Sequence, residues 1–472
     1  MSTIKNNDLL ETFVHMYETK VEQNKTVLLS SVEKISFIDP LTFYHNGYSL
    51  YSGERFFWKH PQNEVIIVGL GNIYTIRSEH KDHRRYKEVD DKWKKLLDQA
   101  AIHNLYSVPS IGPLLFGGFS FDPEQETQVE WGNFSPSFFY LPEYMLTIRG
   151  KDTFLTMNIA MTNEDEEKLD VIRNVMNRRE TFLQPSLPVN TTNPVITGIK
   201  EEKTDQWKQA VNEVVERIHS NPKLEKVVLA RKISAEIEEA ILPENVLQKL
   251  LDQQQDSFIF SFEAMDDCFV GASPERLVRK WGNEILSTCL AGSIARGKDA
   301  EEDEKLGQAL LQDQKNRREH QLVVQMISEV LHDLCEKVYL PSSPTLMKIR
   351  DIQHLYTPVI GKTNQDLSIL RFVEKLHPTP ALGGLPTKDA LEEIRHFEMM
   401  DRGFYAGPIG WIDYKGNGEF AVAIRSGLIR KKSVELYAGC GIVADSDAES
   451  EFNETGIKFR PMLRAIGGTL HE

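Results

Sequence analysis

Residues 411–438, WIDYKGNGEFAVAIRSGLIRKKSVELYA, carry three strand-like runs separated by two short turns. The spacing predicts strands over 411–414 and 419–429 around the turn Lys415-Gly416-Asn417-Gly418, and a third over 434–438 entered through Lys431 and Lys432. Strands this close along the chain pair antiparallel, because a parallel pair needs a crossover of a dozen or more residues. The same local pairing is expected upstream, where 258–264 and 268–271 turn at Asp266 and Asp267. A helix over 204–219 precedes a strand at 226–232, another strand covers 284–292, and one long helix is expected over roughly 301–338. Strand and helix do not alternate regularly. The expected class is therefore α+β, with adjacent antiparallel strands and helices on the outside, rather than a doubly wound parallel sheet.

Outward from this region the clearest break is 184–198, where Pro185, Pro188, Pro194 and Gly198 sit among Ser, Thr and Asn with little charge. Such composition sustains neither a helix nor an interior strand, so it is read as a linker between 1–183 and 199–472. The first region has strand-like runs at 64–70 and 114–121, an amphipathic helix near 91–101 and helical polarity over 163–182. Gly69 and Gly71 form a GLG followed by another strand, NIYTIRS, which marks a turn and not a dinucleotide loop. Gly117 and Gly118 lie within an aromatic strand and indicate a bulge or close packing.

The 472 residues hold 55 Lys+Arg against 70 Asp+Glu, a formal net charge of −15, with 40% apolar and 26% charged residues. This is ordinary globular composition, long enough for a large core. The acidic balance argues against nucleic acid as a partner, since that binding is supplied by clustered Lys and Arg. Cys268, Cys289, Cys335 and Cys440 are far apart with no metal-ligand spacing, which fits a reducing cytoplasm. No signal-like start and no membrane-length apolar run is present, so the expectation is a cytoplasmic protein without membrane contact.

Several charged residues fall where the pattern expects apolar ones. Glu319 lies four residues before Val323 and seven before Met326, on the apolar face of the long helix. Buried alone it would cost several kcal/mol, so it needs a cation: an Arg or Lys from another element, or a metal. A second helix is expected to begin at Asp445–Ser446, with a capping-box spacing from Ser446 to Glu449, and to stop near Pro461. Glu451, Glu454 and Lys458 share one of its faces. That face is either solvated, or contributes carboxylates that converge with Glu319 on a divalent ion; with oxygen donors alone, Mg²⁺ is the metal expected. Lys226 shares a strand face with Val228 and Ala230, where it either snorkels to water or serves as a desolvated base. Arg425 poses the same question beside Ala421 and Ala423, two small residues that leave room for a carboxylate ligand. Glu275 follows Pro274 just after a strand and is a solvated turn carboxylate, a cap, or an acid. Together these groups would suit a small polyanionic acid undergoing a proton-coupled rearrangement.

The same residues carry a family likeness. KVVLAR at 226–231, GASPERLV at 271–278, LAGSIARG at 290–297, REH at 318–320, HPTPALGGLP at 377–386, FYAGPIGW at 404–411, AIRSGLI at 423–429 and AGCGIVADSDAESEFNET at 438–455 resemble the chorismate-utilising enzymes. That family includes isochorismate synthases, salicylate synthases and the large subunits of anthranilate and aminodeoxychorismate synthases. The resemblance implies two large packed antiparallel β-sheets with helices outside, and an active site almost wholly within 199–472. It implies chorismate as substrate, Lys226 as the base activating water at C2, and Glu275 as the acid protonating the C4 hydroxyl. Glu319 and Glu454 would hold Mg²⁺ with the ring carboxylate, with Glu451 in or near that shell. Arg425 and Tyr405 would bind the side-chain carboxylate, with Gly439, Gly441 and Lys458 completing the anion pocket. His354 would lie near C4, and Gly292, Ser293 and Ala381 would line the substrate site.

Within the family, the aminodeoxychorismate synthases attack the ring with a Lys where this chain has Ala291, which closes that route. Ammonia-using and salicylate-forming relatives commonly carry Thr where Ala381 stands here, so the position resembles the water-using isochorismate synthases. The length and N-terminal extension resemble the menaquinone-pathway enzymes. Salicylate synthase and the siderophore-pathway isochorismate synthases are the nearest alternatives; an anthranilate synthase component I or a catalytically silent chorismate binder are the others.

Overall fold

In the computed structural model, residues 2–20, 26–125, 129–162, 168–185 and 194–468 are described. Among them the strands form one 13-stranded and one 10-stranded sheet, and every pairing is antiparallel except that of Val27–Ile35 with Ala100–His103. The sheets pack face to face. Phe56 of the larger sheet stacks on Phe116 of the smaller at 4.3 Å between ring centroids, and Phe262 meets Phe138 and Tyr140 at 5.1 and 5.2 Å. Aromatic rings on facing positions fill the inter-sheet layer, where burial and ring geometry both stabilise contact.

Both regions contribute strands to both sheets. In the larger one Phe258–Ala264 pairs with Arg55–Lys59, and in the smaller one Pro408–Asp413 pairs with Leu114–Phe119. Of the linker expected at 184–198, residues 186–193 lie outside the described residues, and Ile196–Glu201 is an edge strand of the larger sheet. Its composition is tolerated there because an edge strand pairs on one side only and absorbs a register shift between Ile196 and Gly198. Helix Lys168–Phe182 matches the polarity seen over 163–182, of which 163–167 lie outside the described residues. No helix of the described residues is long and apolar enough to cross a membrane.

Several local expectations are corrected. The helix near 91–101 is Arg84–Asp98, and Ala100–His103 turns into a strand. The hairpin turn lies at Met265 and Asp266, because Ala264 pairs with Asp267 and Met265 takes the left-handed φ of 55°. The helix over 301–338 is two helices, Ala300–Gln312 and Gln314–Leu334. Asp313 ends the first and caps the second, its carboxylate accepting from Asn316 N at 2.7 Å. The last helix is Ala448–Ala465, capped by Asp447 and not by Ser446, with Pro461 inside it.

Candidate active site

The strand expected over 419–429 is also two strands, and they belong to different sheets. Gly418–Val422 lies in the smaller sheet and Ser426–Arg430 in the larger, with Arg425 between them at a φ of 52°. A second crossing runs beside it. Strand Asp267–Ser273 of the larger sheet passes through Pro274 and Glu275 to Arg276–Trp281 of the smaller. The crossings are tied together by Val422 N donating to Glu275 O and Ala272 N donating to Arg425 O, both at 3.0 Å. A proline that cannot donate and a residue bent into the left-handed region end regular pairing at the same place. Glu275 and Arg425 are thereby brought to the wall of one cavity of about 240 Å³.

Three further elements close that cavity. A bulge between Leu290 and Ser293, with Gly292 at φ 79°, turns Gly292 and Ser293 inward opposite His354. Helix Gln314–Leu334 brings Glu319, and helix Ala448–Ala465 brings Glu451, Glu454 and Lys458. Gly439 and Gly441 lie on the strand Ser433–Ile442, opposite Ala230 and Val228. Val228 N bonds to Gly383 O and Ala230 N to Glu398, both away from this strand. Gly439 and Gly441 therefore form non-hydrogen-bonded pairs, with their N–H groups on the far side, where pairing with Ser426–Arg430 has already ended at Tyr437. A Cβ at 441 would stand 2.5 Å from Lys226 Cε, so glycine there makes room for the lysine side chain.

The electrostatics follow from burial. Glu275 is 5% exposed, and burial pushes its carboxyl up to about 8 against the pull of Lys226, Lys458 and Arg425. Burial takes His354 down to about 3, with Arg425 and Lys458 adding to it. This histidine is hydrogen-bonded to the backbone of Gly292, and its buried Nε2 has no partner among the described residues. A neutral ring that donates from Nδ1 presents Nε2 as an acceptor. Tyr405 is pushed up to about 12 by burial and stacks on Tyr437 at 5.4 Å. Lys458 donates to Gly439 O at 2.8 Å and Glu454 Oε1 at 2.6 Å; burial opposes its charge, but Glu454 holds it above the ordinary lysine range. In return Lys458 holds Glu454 below the ordinary carboxylate range.

Of the residues singled out above, Glu275, Gly292, Ser293, Glu319, His354, Ala381, Tyr405, Arg425, Gly439, Gly441, Glu451, Glu454 and Lys458 all line this cavity. Lys226 stands just behind its wall. It is 2% exposed, and its Nζ reaches Glu319 Oε1 at 2.5 Å. The cation that Glu319 required is thus a lysine from another element, and the same carboxylate also faces the cavity. Sequence reading missed Lys315, Asn316 and Arg402, which line the cavity too. A signal for the first two was present: the apolar face has no member between Leu310 and Leu322, and Asp313 in that gap is a good cap. Arg402 had no such signal.

The donor set suits a hard cation. Glu319, Glu451 and Glu454 offer oxygen atoms alone, and Glu451 is raised by burial and then by the charge of Glu454, a like-charge pressure that a cation would relieve. Among the described residues no three His, Cys, Asp or Glu groups are gathered as a ready-made cage.

The chorismate binding enzyme family model matches residues 13–467. The isochorismate synthase MenF of Bacillus subtilis is 42% identical over 460 residues, covering 96% of this chain and 97% of that protein. The salicylate biosynthesis isochorismate synthase of Pseudomonas aeruginosa is 34% identical over 449 residues, covering 94% and 92%. Among solved structures, the menaquinone-specific isochorismate synthase MenF from Escherichia coli superposes with a TM-score of 0.79 at 22% identity over 98% of this chain and 99% of that one. Anthranilate synthase component I from Streptococcus pneumoniae superposes at 0.70 with 20% identity, over 84% and 92%, so the architecture is shared across the fold.

Proposed function

The chain belongs to the chorismate-binding enzyme family, and we propose that within it the chain is an isochorismate synthase that turns chorismate into isochorismate for menaquinone synthesis in the cytoplasm. The observation that carries the reading is a buried acid still protonated near neutrality, Glu275, on the wall of a cavity behind which stands a buried amine, Lys226, bonded to the cavity carboxylate Glu319. Acting as the neutral amine, Lys226 takes a proton from the water that attacks C2. Glu275 gives a proton to the C4 hydroxyl, which leaves as water as the ring double bonds shift. One water is added and one lost, so the product is an isomer. A base on a strand and an acid on a crossing between the sheets can serve both ends of the ring, each typically contributing about 10²–10⁴-fold.

The other residues bind and orient. Arg425 and Tyr405 receive the side-chain carboxylate, and the N–H groups of Gly439 and Gly441 with Lys458 complete the anion pocket. His354 offers Nε2 to the C4 hydroxyl, and Gly292, Ser293 and Ala381 shape the space around the ring. Glu319 and Glu454, with Glu451 beside them, would hold Mg²⁺, which neutralises the ring carboxylate in a protein of net charge −15. Region 199–472 supplies the reacting groups, and 1–183 completes the two sheets as scaffold.

Purified protein given chorismate and Mg²⁺ should accumulate isochorismate. Stoichiometric pyruvate with fluorescent salicylate would overturn this in favour of a salicylate synthase, and ammonium-dependent anthranilate in favour of an anthranilate synthase. Glu454→Ala is expected to raise the Mg²⁺ concentration for half-maximal rate by at least about 10-fold, the lower end of what losing even an outer partner of a metal ligand costs. An unchanged Mg²⁺ titration would reject the carboxylate as a ligand.

A further inference from the structure

The strand Lys226–Ile237 that carries the proposed base has a gap along one edge. Ser433–Ile442 pairs with its other edge from Val227 to Glu236. On the gapped edge Gly384–Leu385 pairs with Lys226 and Val227, Val228 N reaches Gly383 O, and the next neighbour, Ile196–Glu201, begins only at Ile233. In between, side chains take the place of a strand. Arg402 Nη2 donates to Val228 O at 2.7 Å, Glu398 Oε1 accepts from Ala230 N at 2.7 Å, and Trp207 Nε1 donates to Ala230 O at 3.1 Å. Arg402 and Glu398 are bonded to each other through Nε and Oε2 at 2.8 Å and again through Nη2 and Oε1. The remaining arm of Arg402, Nη1, donates to Leu382 O at 3.0 Å, next to Ala381, and its guanidinium lies 4.1 Å over the ring of Phe121.

A buried ion pair is an expensive way to fill space, since apolar residues of similar volume often do so at no loss of stability. Both of these side chains are at most 1% exposed. What the pair supplies that apolar residues cannot is a donor and an acceptor in the places where a neighbouring strand would have them, with no backbone there to fill the cavity. Val228, Ala230, Leu382, Ala381 and Arg402 all line that cavity.

Resting on the isochorismate synthase reading, we propose that Glu398 and Arg402 are positioning residues for the reaction. Their pair locks the strand of Lys226 to the loop of Ala381, and so holds the base and the wall beside the attacking water at a constant separation. Each nitrogen of Arg402 and each oxygen of Glu398 is bonded to protein, which sets the pair to hold the wall and not to act on the substrate. Their effect therefore belongs in kcat and not in substrate or Mg²⁺ binding, because a displacement of about 1 Å at the reacting centre can cost about 10²-fold in rate.

Arg402→Lys keeps the charge but cannot bridge Val228, Leu382 and Glu398 at once. Glu398→Gln keeps an acceptor for Ala230 but turns an amide toward a guanidinium. Each should lower kcat about 10²-fold, with KM for chorismate changed less than about 3-fold and the Mg²⁺ titration unmoved, all measured well below the variant's melting temperature. The pair Glu398→Gln with Arg402→Gln removes both charges and should recover thermal stability while kcat stays low. Recovery of kcat together with stability, or single-variant losses that merely track the folded fraction by circular dichroism, would overturn the positioning role. Failure of the wild-type protein to form isochorismate would instead remove the reading beneath it, so the two failures are distinguishable.

Discussion

Glu275→Gln is expected to remove turnover, by about 10²–10⁴-fold in kcat, while chorismate still binds in a Mg²⁺-dependent way. The substitution is nearly isosteric, and it deletes only the transferable proton. Glu275 is buried at the cavity wall, and its carboxyl is pushed up to about 8 by burial. Below that pH it carries a proton, which in the proposed reaction goes to the leaving hydroxyl; above it the proton is gone. In the wild type, kcat/KM should therefore fall as pH rises through about 8, because an acid catalyst is lost on its alkaline side. Steady-state rates across pH and calorimetric binding to the variant check both halves. A variant with weakened binding but undiminished chemistry would contradict the assigned role.

Lys226→Ala should cost turnover on a similar scale, about 10²–10⁴-fold, and it separates an enzyme from a silent chorismate binder. The residue is buried behind the cavity wall with Glu319 at 2.5 Å. Its removal leaves Glu319 facing the cavity without its lysine, so Mg²⁺ binding should persist and kcat alone should collapse. Product formation followed by chromatography, alongside a Mg²⁺ titration of the variant, gives the two readings. Wild-type rates in Lys226→Ala would remove the base from the mechanism.

Much of the architecture was legible because hairpins are local. The runs around 258–271 and 411–438 have alternation and turn residues within a few positions of one another, and antiparallel pairing follows from the short connection. The errors came where a local pattern continues through a tertiary decision. Val422 and Ser426 lie on one apolar run, yet the first belongs to the smaller sheet and the second to the larger. At Asp313 the cap was a local signal, but its consequence was not: the turn there lets Lys315, Asn316 and Glu319 reach the cavity.

The sequence by itself determined which chemistry was available: a lysine and a glutamate beside strands, carboxylates on two helices, an arginine among small residues, and an alanine in the loop at 381. It determined the hairpins too, since their bonds join residues close along the chain. Only the tertiary structure decided that Lys226 meets Glu319, 93 positions further along the chain, that Glu275 and Arg425 sit on paired crossings, and that Glu398 and Arg402 stand in for a missing strand. The physical reason is that those contacts are made by segments remote in the chain, and their geometry is set by how two sheets pack and where strands leave one for the other, which no local periodicity encodes.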